Sequence, residues 1–462
     1  MVARIPYPAT VPKYFAVASE VATMALLRSS GLPVPAVYGY APAPDNAAET
    51  EYIFMEFVQG TDLSDVWFDL RERDILSITR QLAELEAKMM SIAFPAGGSL
   101  YYTEDLEKVA GTPGIMLEDA RFCVGPDTRV SLWYGRRSQL DIDRGPYKSA
   151  EAALVRGTEK ELAYLQQFGR PLLPFQRMRR EAYHYQAQPP SDHVENLHRY
   201  LRIASQLVPK DPALCQFRIR HPDLQPGNII VSRSPAADSE LRIVSLIDWQ
   251  HTAILPLFLL ASVPQCLQNH SDPVSHCMLP PALPANLDAL SAAARSRAEE
   301  AYHRRVVHYC YVNNTEERNR PHYDAMTDRV CVLRSRLFCH AGDPWEGETI
   351  ELKAALIRAA ETWETLVGDD APCPVVFDAE DVRETAKLNG VLEESDRLVE
   401  AWQNASGLGQ DGLVSTQHYD EAMVLCKRMK ESALADAEAT EEERAQIAAH
   451  WPFDNMDEEE YM

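Results

Sequence analysis

Apolar residues recur along the chain at spacings that separate helix from strand. Ile75, Ile78, Leu82, Leu85, Met89 and Ile92 follow three- and four-residue steps and predict an amphipathic helix over 75–92. A second helix is expected over 14–30, with Val17, Val21, Met24 and Leu27 (or Leu26) on one face, ended by Gly31 and Pro33. Before it, residues 2–5 read as a short strand stopped by Pro6 and Pro8. After it come two strands, 34–40 and 51–58, joined by a Pro/Asp/Asn-rich loop. Residues 95–147 are loop-rich, with one strand expected at 129–134. Helices follow at 149–168 and 192–208, the second carrying Val194, Leu197, Leu201 and Leu207 as a stripe. Two β-type runs, 229–232 and 242–247, flank a turn-forming link and predict a hairpin. Beyond 285 the pattern is mostly helical, and from 436 it turns acidic with few large apolar residues, which predicts a solvated or disordered tail. No internal repeat is present in the sequence.

Bulk properties narrow the function classes. At 462 residues the chain exceeds what one hydrophobic core usually spans, so two lobes are expected. Its net charge is −24, from 69 acidic and 45 basic residues, which argues against nucleic acid as a partner and favours a cationic small molecule over an anionic one. ATP would need a divalent cation to offset that field. The nine cysteines are scattered without a CxxC pair, suggesting neither a disulfide framework nor a zinc site, and pointing to a reducing compartment. The longest apolar run, 253–263, is about half a membrane span and is interrupted by Pro256, so no membrane span is expected.

The chemistry concentrates in His221-Pro-Asp223-Leu-Gln-Pro-Gly-Asn228, followed by the hairpin and Leu246-Ile-Asp248-Trp249. Phosphoryl transfer from ATP needs a carboxylate to take the acceptor's proton and oxygen ligands for Mg²⁺. A loop ending in Asn, and an Asp at the end of a returning hairpin, supply all three groups at one point in space. Each residue alone also reads as a turn former or a strand-end cap; the argument rests on the three in order. Gly407-Leu-Gly-Gln-Asp-Gly412 matches G-x-G-x-x-G, but it follows a helical stretch (379–403) rather than a strand and reads as an inter-helix loop. The sequons at Asn313 and Asn404 stand without any sign of secretion, and no Walker A, GxSxG or HExxH is present in the sequence.

His221 to Asn228 resembles the catalytic loop of the aminoglycoside/choline-type phosphotransferases and shares the Asp-to-Asn spacing of the protein-kinase H-R-D-x-x-x-x-N pattern. Ile247-Asp248-Trp249 resembles the motif that replaces D-F-G in that family. The chain departs from it at Pro222, where Gly is usual, and at Gln225, where His is usual. The resemblance implies an α+β, two-lobed protein-kinase-like fold: a shortened small lobe over 1–58, a mostly helical large lobe over 59–435 and an acidic tail over 436–462. It implies Asp223 as catalytic base, Asn228 and Asp248 as Mg²⁺ ligands, and His221 as a hydrogen-bonding residue of the loop. Arg4 then falls at the phosphate-holding basic position and Glu20 at its ion-pair partner. Glu56, Phe57 and Val58 fall at the adenine hinge.

Val34-Pro-Ala-Val-Tyr and Met55-Glu-Phe-Val-Gln-Gly60 are similar to fungal members, among them proteins named for altered inheritance of mitochondria. The implied activity is ATP- and Mg²⁺-dependent transfer to a small-molecule hydroxyl, in mitochondria or cytosol. No glycine-rich hairpin precedes Arg4 in this sequence. That departure supports the alternative of a non-catalytic, pseudokinase-type binding protein.

Overall fold

The structure is a computed structural model that describes residues 1–111, 114–233, 240–368, 372–406, 419–435, 440–454 and 458–462. The G-x-G-x-x-G stretch and the link of the 229–247 hairpin fall outside these residues. The elements run β1 (Val2–Arg4), α1 (Lys13–Ser29), β2 (Val37–Ala41), β3 (Tyr52–Met55), β4 (Thr61–Asp62) and α2 (Glu72–Ser91). They continue through β5 (Ser99–Tyr102), α3 (Thr103–Ala110), β6 (Ile115–Met116), β7 (Phe122–Gly125), α4 (Ala150–Phe168) and α5 (Pro190–Ile203). Next come β8 (Phe217–Ile219), β9 (Ile229–Arg233), β10 (Leu241–Leu246), β11 (Ile254–Pro256), α6 (Leu257–Leu260) and α7 (Pro273–His276). The rest is helical: α8 (Ala292–Arg318), α9 (Arg320–Thr327), α10 (Arg329–Gly342), α11 (Ile350–Glu361) and α12 (Trp363–Val367). The last helices are α13 (Ala379–Ser406), α14 (Tyr419–Leu434) and α15 (Glu441–Ala449). The architecture is the mixed α+β class expected from the sequence.

The chain divides into two compact units. The first holds Met1–Trp133, Asp141–Arg156 and Gln206–Phe338; the second holds Tyr134–Leu140, Gly157–Ser205 and Cys339–Met462. In the first unit an antiparallel sheet has the order β1-β3-β2, with Arg4 opposite Ile53. Val17 and Val21 of α1 bury against Ile53 of that sheet. The apolar stripe of α2 packs toward α8, with Ile75, Ile78, Leu82 and Met89 buried. β9 and β10 form the expected antiparallel hairpin, with a bulge between Ile243 and Ser245, and β4 extends it at Thr61↔Val231. Gly60 enters that junction where a Cβ would lie 2.5 Å from Ile230 Cγ2 and 2.7 Å from the Val231 carbonyl oxygen, so a side chain there would force the strand away. No helix among the described residues is long and apolar enough to cross a membrane.

Two expectations are corrected. Residues 129–134 do not form a strand; Val130–Leu132 is a 3₁₀ turn, and the strands of this region are β5, β6 and β7. The Asp127 carboxylate accepts the Arg129 amide at 2.9 Å and its carbonyl accepts Trp133 Nε1 at 2.8 Å, which curls the segment. β7 is buried throughout and β5 nearly so, which removes the period-2 alternation that marks a half-exposed strand. The acidic end of the chain, within the second unit, is solvent-facing along α15, which buries no residue, but it is helical and anchored where it is described. α15 opens on a capping box, with Glu443 N–H donating to Thr440 Oγ1 at 3.1 Å and Thr440 N–H donating to Glu443 Oε2 at 2.7 Å. Trp451 and Tyr461 are buried, and the Tyr461 hydroxyl donates to Leu173 O at 2.9 Å.

Candidate functional site

β8 delivers the chain to His221 in the first unit. The Asp223 amide donates to His221 Nδ1 at 3.1 Å, so the ring proton sits on Nε2, which donates to Ile247 O at 2.9 Å. Burial pushes the His221 pKa down to about 4, and the ring stays neutral near pH 7. His221 therefore ties the loop to the end of the hairpin, with its ring 4.4 Å from that of the buried Trp249.

Asp223 is exposed, while Asn228 is only 7% exposed. Asn228 Nδ2 donates to both Asp223 O (2.8 Å) and Asp223 Oδ2 (3.0 Å), and Gln225 Nε2 donates to the same Oδ2 at 2.6 Å. Both amide protons of Asn228 are thus directed at Asp223. Ile247 N–H donates to Asn228 O at 3.0 Å, which fixes the backbone beside Asp248 against the loop. Asp248 itself has φ +62°, a left-handed conformation uncommon for a residue with a side chain and best tolerated by Asn and Asp.

Arg4 reaches this point from β1. Its Nη2 donates to Asp248 Oδ1 at 2.8 Å and to Gln250 Oε1 at 2.7 Å, and its Nη1 lies 3.3 Å from Glu20 Oε1. Glu20 is buried, and that burial raises its pKa to about 7, against the lowering effect of Arg4 and with the Asp248 charge adding to the rise. The structure thus brings Arg4, Glu20 and Asp248 into one chain of contacts, and Asp223 and Asn228 into another joined to it through Ile247.

At the predicted hinge, Glu56 is committed to β2 and its approach. Its N–H donates to Ala36 O (2.8 Å), its Oε2 accepts the Ala36 amide (3.0 Å) and its carboxylate pairs with Arg28 at 3.2 Å. Phe57 and Val58 make no backbone–backbone hydrogen bond among the described residues, and Phe57 is 58% exposed.

The sequence reading missed a buried group beside the loop. Arg220 directly precedes His221. Its Nε donates to Glu86 Oε1 (2.7 Å), and its Nη1 donates to Leu260 O (3.0 Å) and Ser262 Oγ (2.8 Å). The Tyr311 hydroxyl donates to Glu86 Oε2 at 2.7 Å. One signal was available: Glu86 stands four residues after Leu82 and three before Met89, a charge set on the apolar stripe of α2.

Chemically, the arrangement offers an exposed carboxylate, Asp223, oriented by two amides, and a second carboxylate, Asp248, next in sequence to the Ile247 that bonds the Asn228 carbonyl. Those are the hard oxygen donors that Mg²⁺ takes, usually from one or two carboxylates with phosphates and water completing the shell. Among the described residues no three His, Cys, Asp or Glu side chains converge.

Known proteins resemble this chain in sequence. The chain is 28% identical to a subtelomeric hrmA-associated cluster protein of Aspergillus fumigatus, over 99% of this chain and 93% of the relative. It is 24% identical to altered inheritance of mitochondria protein 9, mitochondrial, of Zygosaccharomyces rouxii, over 81% of this chain and 64% of the relative. The Saccharomyces cerevisiae protein of the same name is 23% identical over 79% of this chain and 62% of its own length. Residues 1–258, which hold β1, α1, the 221–228 loop and Asp248, match the phosphotransferase enzyme family, and the chain belongs to that family.

Proposed function

We propose that the protein transfers the γ-phosphoryl group of ATP to a hydroxyl of a small molecule. The observation that carries this reading is the bonded pair Asp223–Asn228, 3.0 Å between Oδ2 and Nδ2, tied by the Asn228 carbonyl to Ile247, the residue beside Asp248. In this reading Asp223 accepts the proton of the attacking hydroxyl as its oxygen bonds to phosphorus and the bond to the ADP oxygen breaks. Gln225 and Asn228 hold the carboxylate by donating to one oxygen. Asn228 through its side-chain oxygen and Asp248 through its carboxylate are the residues that hold Mg²⁺, whose chemistry is to neutralise the phosphate charge. Arg4 exchanges its contact with Asp248 for the nucleotide's phosphates while Glu20 keeps it in place. The unengaged backbone of Phe57 and Val58 serves the adenine, with residues 1–58 acting as the small lobe and 59–435 as the large one. The word "mitochondrial" in the names of the relatives supports a mitochondrial setting.

A second reading is favoured by the Arg4–Asp248 contact at 2.8 Å: a binding or regulatory protein in which the Arg4 guanidinium permanently takes the cation's place. A thermal-shift titration with ATP, with and without Mg²⁺, separates the two. At ligand near 100 times Kd, binding adds about 2.7 kcal/mol. The enzyme reading expects a Mg²⁺-dependent shift that disappears in Asp248→Ala, and a turnover loss of about 10²–10⁴-fold in Asp223→Ala. No shift in the wild type supports the binding-protein reading, and unchanged kcat in Asp223→Ala removes that residue from the mechanism.

A further inference from the structure

The second unit contains two adjoining cavities, of about 160 and 180 Å³, that share Trp345, Glu348 and Thr349 in their walls. Each exceeds several-fold the roughly 10–15 Å³ that one ordered water needs. Three buried polar atoms in these walls have no hydrogen-bond partner: His193 Nε2 in the first cavity, the Tyr183 hydroxyl in the second and Glu348 Oε2 in both. His193 is only 4% exposed, and its other nitrogen, Nδ1, lies 2.9 Å from Thr349 Oγ1. Buried polar groups left unpaired are costly and uncommon, so an orphaned carboxylate oxygen and two further orphaned atoms in the same walls mark a place where something else completes the bonding.

Charge selects the class of that partner. The guanidinium of Arg179 is engaged by Glu348, Glu351 and Asp396, so one positive charge faces three carboxylates. Glu346 also lines the first cavity. His193 adds no positive charge, because burial pushes its pKa down to about 4. Burial and the nearby Glu351 raise the Glu348 pKa to about 7, although Arg179 opposes them, with Asp396 adding a small rise. An anion would meet carboxylates, a guanidinium already taken and, in the second cavity, a Lys353 ammonium already paired with Asp381. A neutral polyol would leave the excess negative charge in place. A small cation with several N–H donors answers both the charge and the open acceptor, and the net charge of −24 draws it in.

We propose that these paired cavities bind a small organic cation, bearing ammonium or guanidinium groups, on the Glu348 carboxylate, with His193 and Tyr183 completing its hydrogen bonds. The site lies within the second unit and does not depend on whether the catalytic loop transfers phosphate.

The test is calorimetric titration of the full chain with spermidine and with guanidinium, using sorbitol and inorganic phosphate as neutral and anionic probes. Saturable binding of spermidine or guanidinium is expected, weakened at least about ten-fold in Glu348→Gln, the loss of one charged hydrogen bond, and retained in Asp248→Ala. Titrations at pH 7 in buffers of different ionisation enthalpy should report proton release, as the bound cation draws Glu348 into its ionised form. Should Glu348→Gln fail to fold, Tyr183→Phe removes one hydroxyl and should weaken binding several-fold. The proposal is overturned if neither cation saturates, if both variants bind as the wild type does, if sorbitol or phosphate binds in preference, or if binding is lost in Asp248→Ala and kept in Glu348→Gln.

Discussion

Glu20 and Glu86 are both buried, both lie on helices and both face an arginine of the candidate site, yet their carboxyl groups respond in opposite ways. Glu20 meets Arg4 at 3.3 Å, and burial carries its pKa up to about 7. At Glu86 burial pushes the same way, but Arg220 at 2.7 Å and the Tyr311 hydroxyl at 2.7 Å outweigh it and lower the pKa. Burial alone therefore does not decide ionisation. The number and closeness of donors do. Arg220 is also fully committed, with bonds to Leu260 and Ser262 besides Glu86, whereas Arg4 is a quarter exposed and shared among Glu20, Asp248 and Gln250. The first is a fixed strut behind the loop. The second is a contact that a ligand is able to rearrange.

The sharpest way to break this contrast is to remove each arginine. Arg220→Met leaves Glu86 buried without its cation and should cost about 3–5 kcal/mol, while Arg4→Met should cost only ~1 kcal/mol near pH 7, because Arg4 is partly exposed and Glu20 takes up a proton instead. Chemical denaturation of both variants measures the difference, and equal losses would show that the two pairs are the same kind of contact.

A second test uses pH. A carboxyl whose folded pKa lies above its ordinary 4.5 binds its proton more tightly when folded, so the stability it contributes is full below 4.5 and falls as pH rises toward about 7. Wild type measured against Glu20→Gln should therefore lose up to about 3 kcal/mol of relative stability across that window. Against Glu86→Gln the sign reverses: the stabilisation is present above 4.5 and is lost on acidification below it. A flat difference curve for Glu20→Gln would mean that this carboxyl is ionised throughout. The smallest effect is expected from Tyr311→Phe, which removes one bond to Glu86 and should cost about 1–2 kcal/mol, with the acid limb of the denaturation profile moving to higher pH.

The geometry of the 221–228 loop and its hairpin was legible because its signals are local. The Asp-to-Asn spacing, the turn residues and the β-type runs on either side of Arg233 to Glu240 all lie within 28 residues of sequence, 221–248. The α2 stripe was legible for the same reason. Strands β5 and β7 were not, since burial on both faces erases their alternation. The anchoring of the acidic end was not legible because composition averages over a segment, while two buried aromatic residues, Trp451 and Tyr461, hold it.

By itself the sequence determined the periodic elements, the hairpin and the order of Asp223, Asn228 and Asp248 along the chain. Only the tertiary structure decided which charges meet: Arg4 with Asp248 across 244 positions, and Arg220 with Glu86 across 134. The physical reason is that hydrophobic periodicity and turn chemistry act over a few residues. The burial of a carboxylate and the donors it receives depend on elements that only packing brings together.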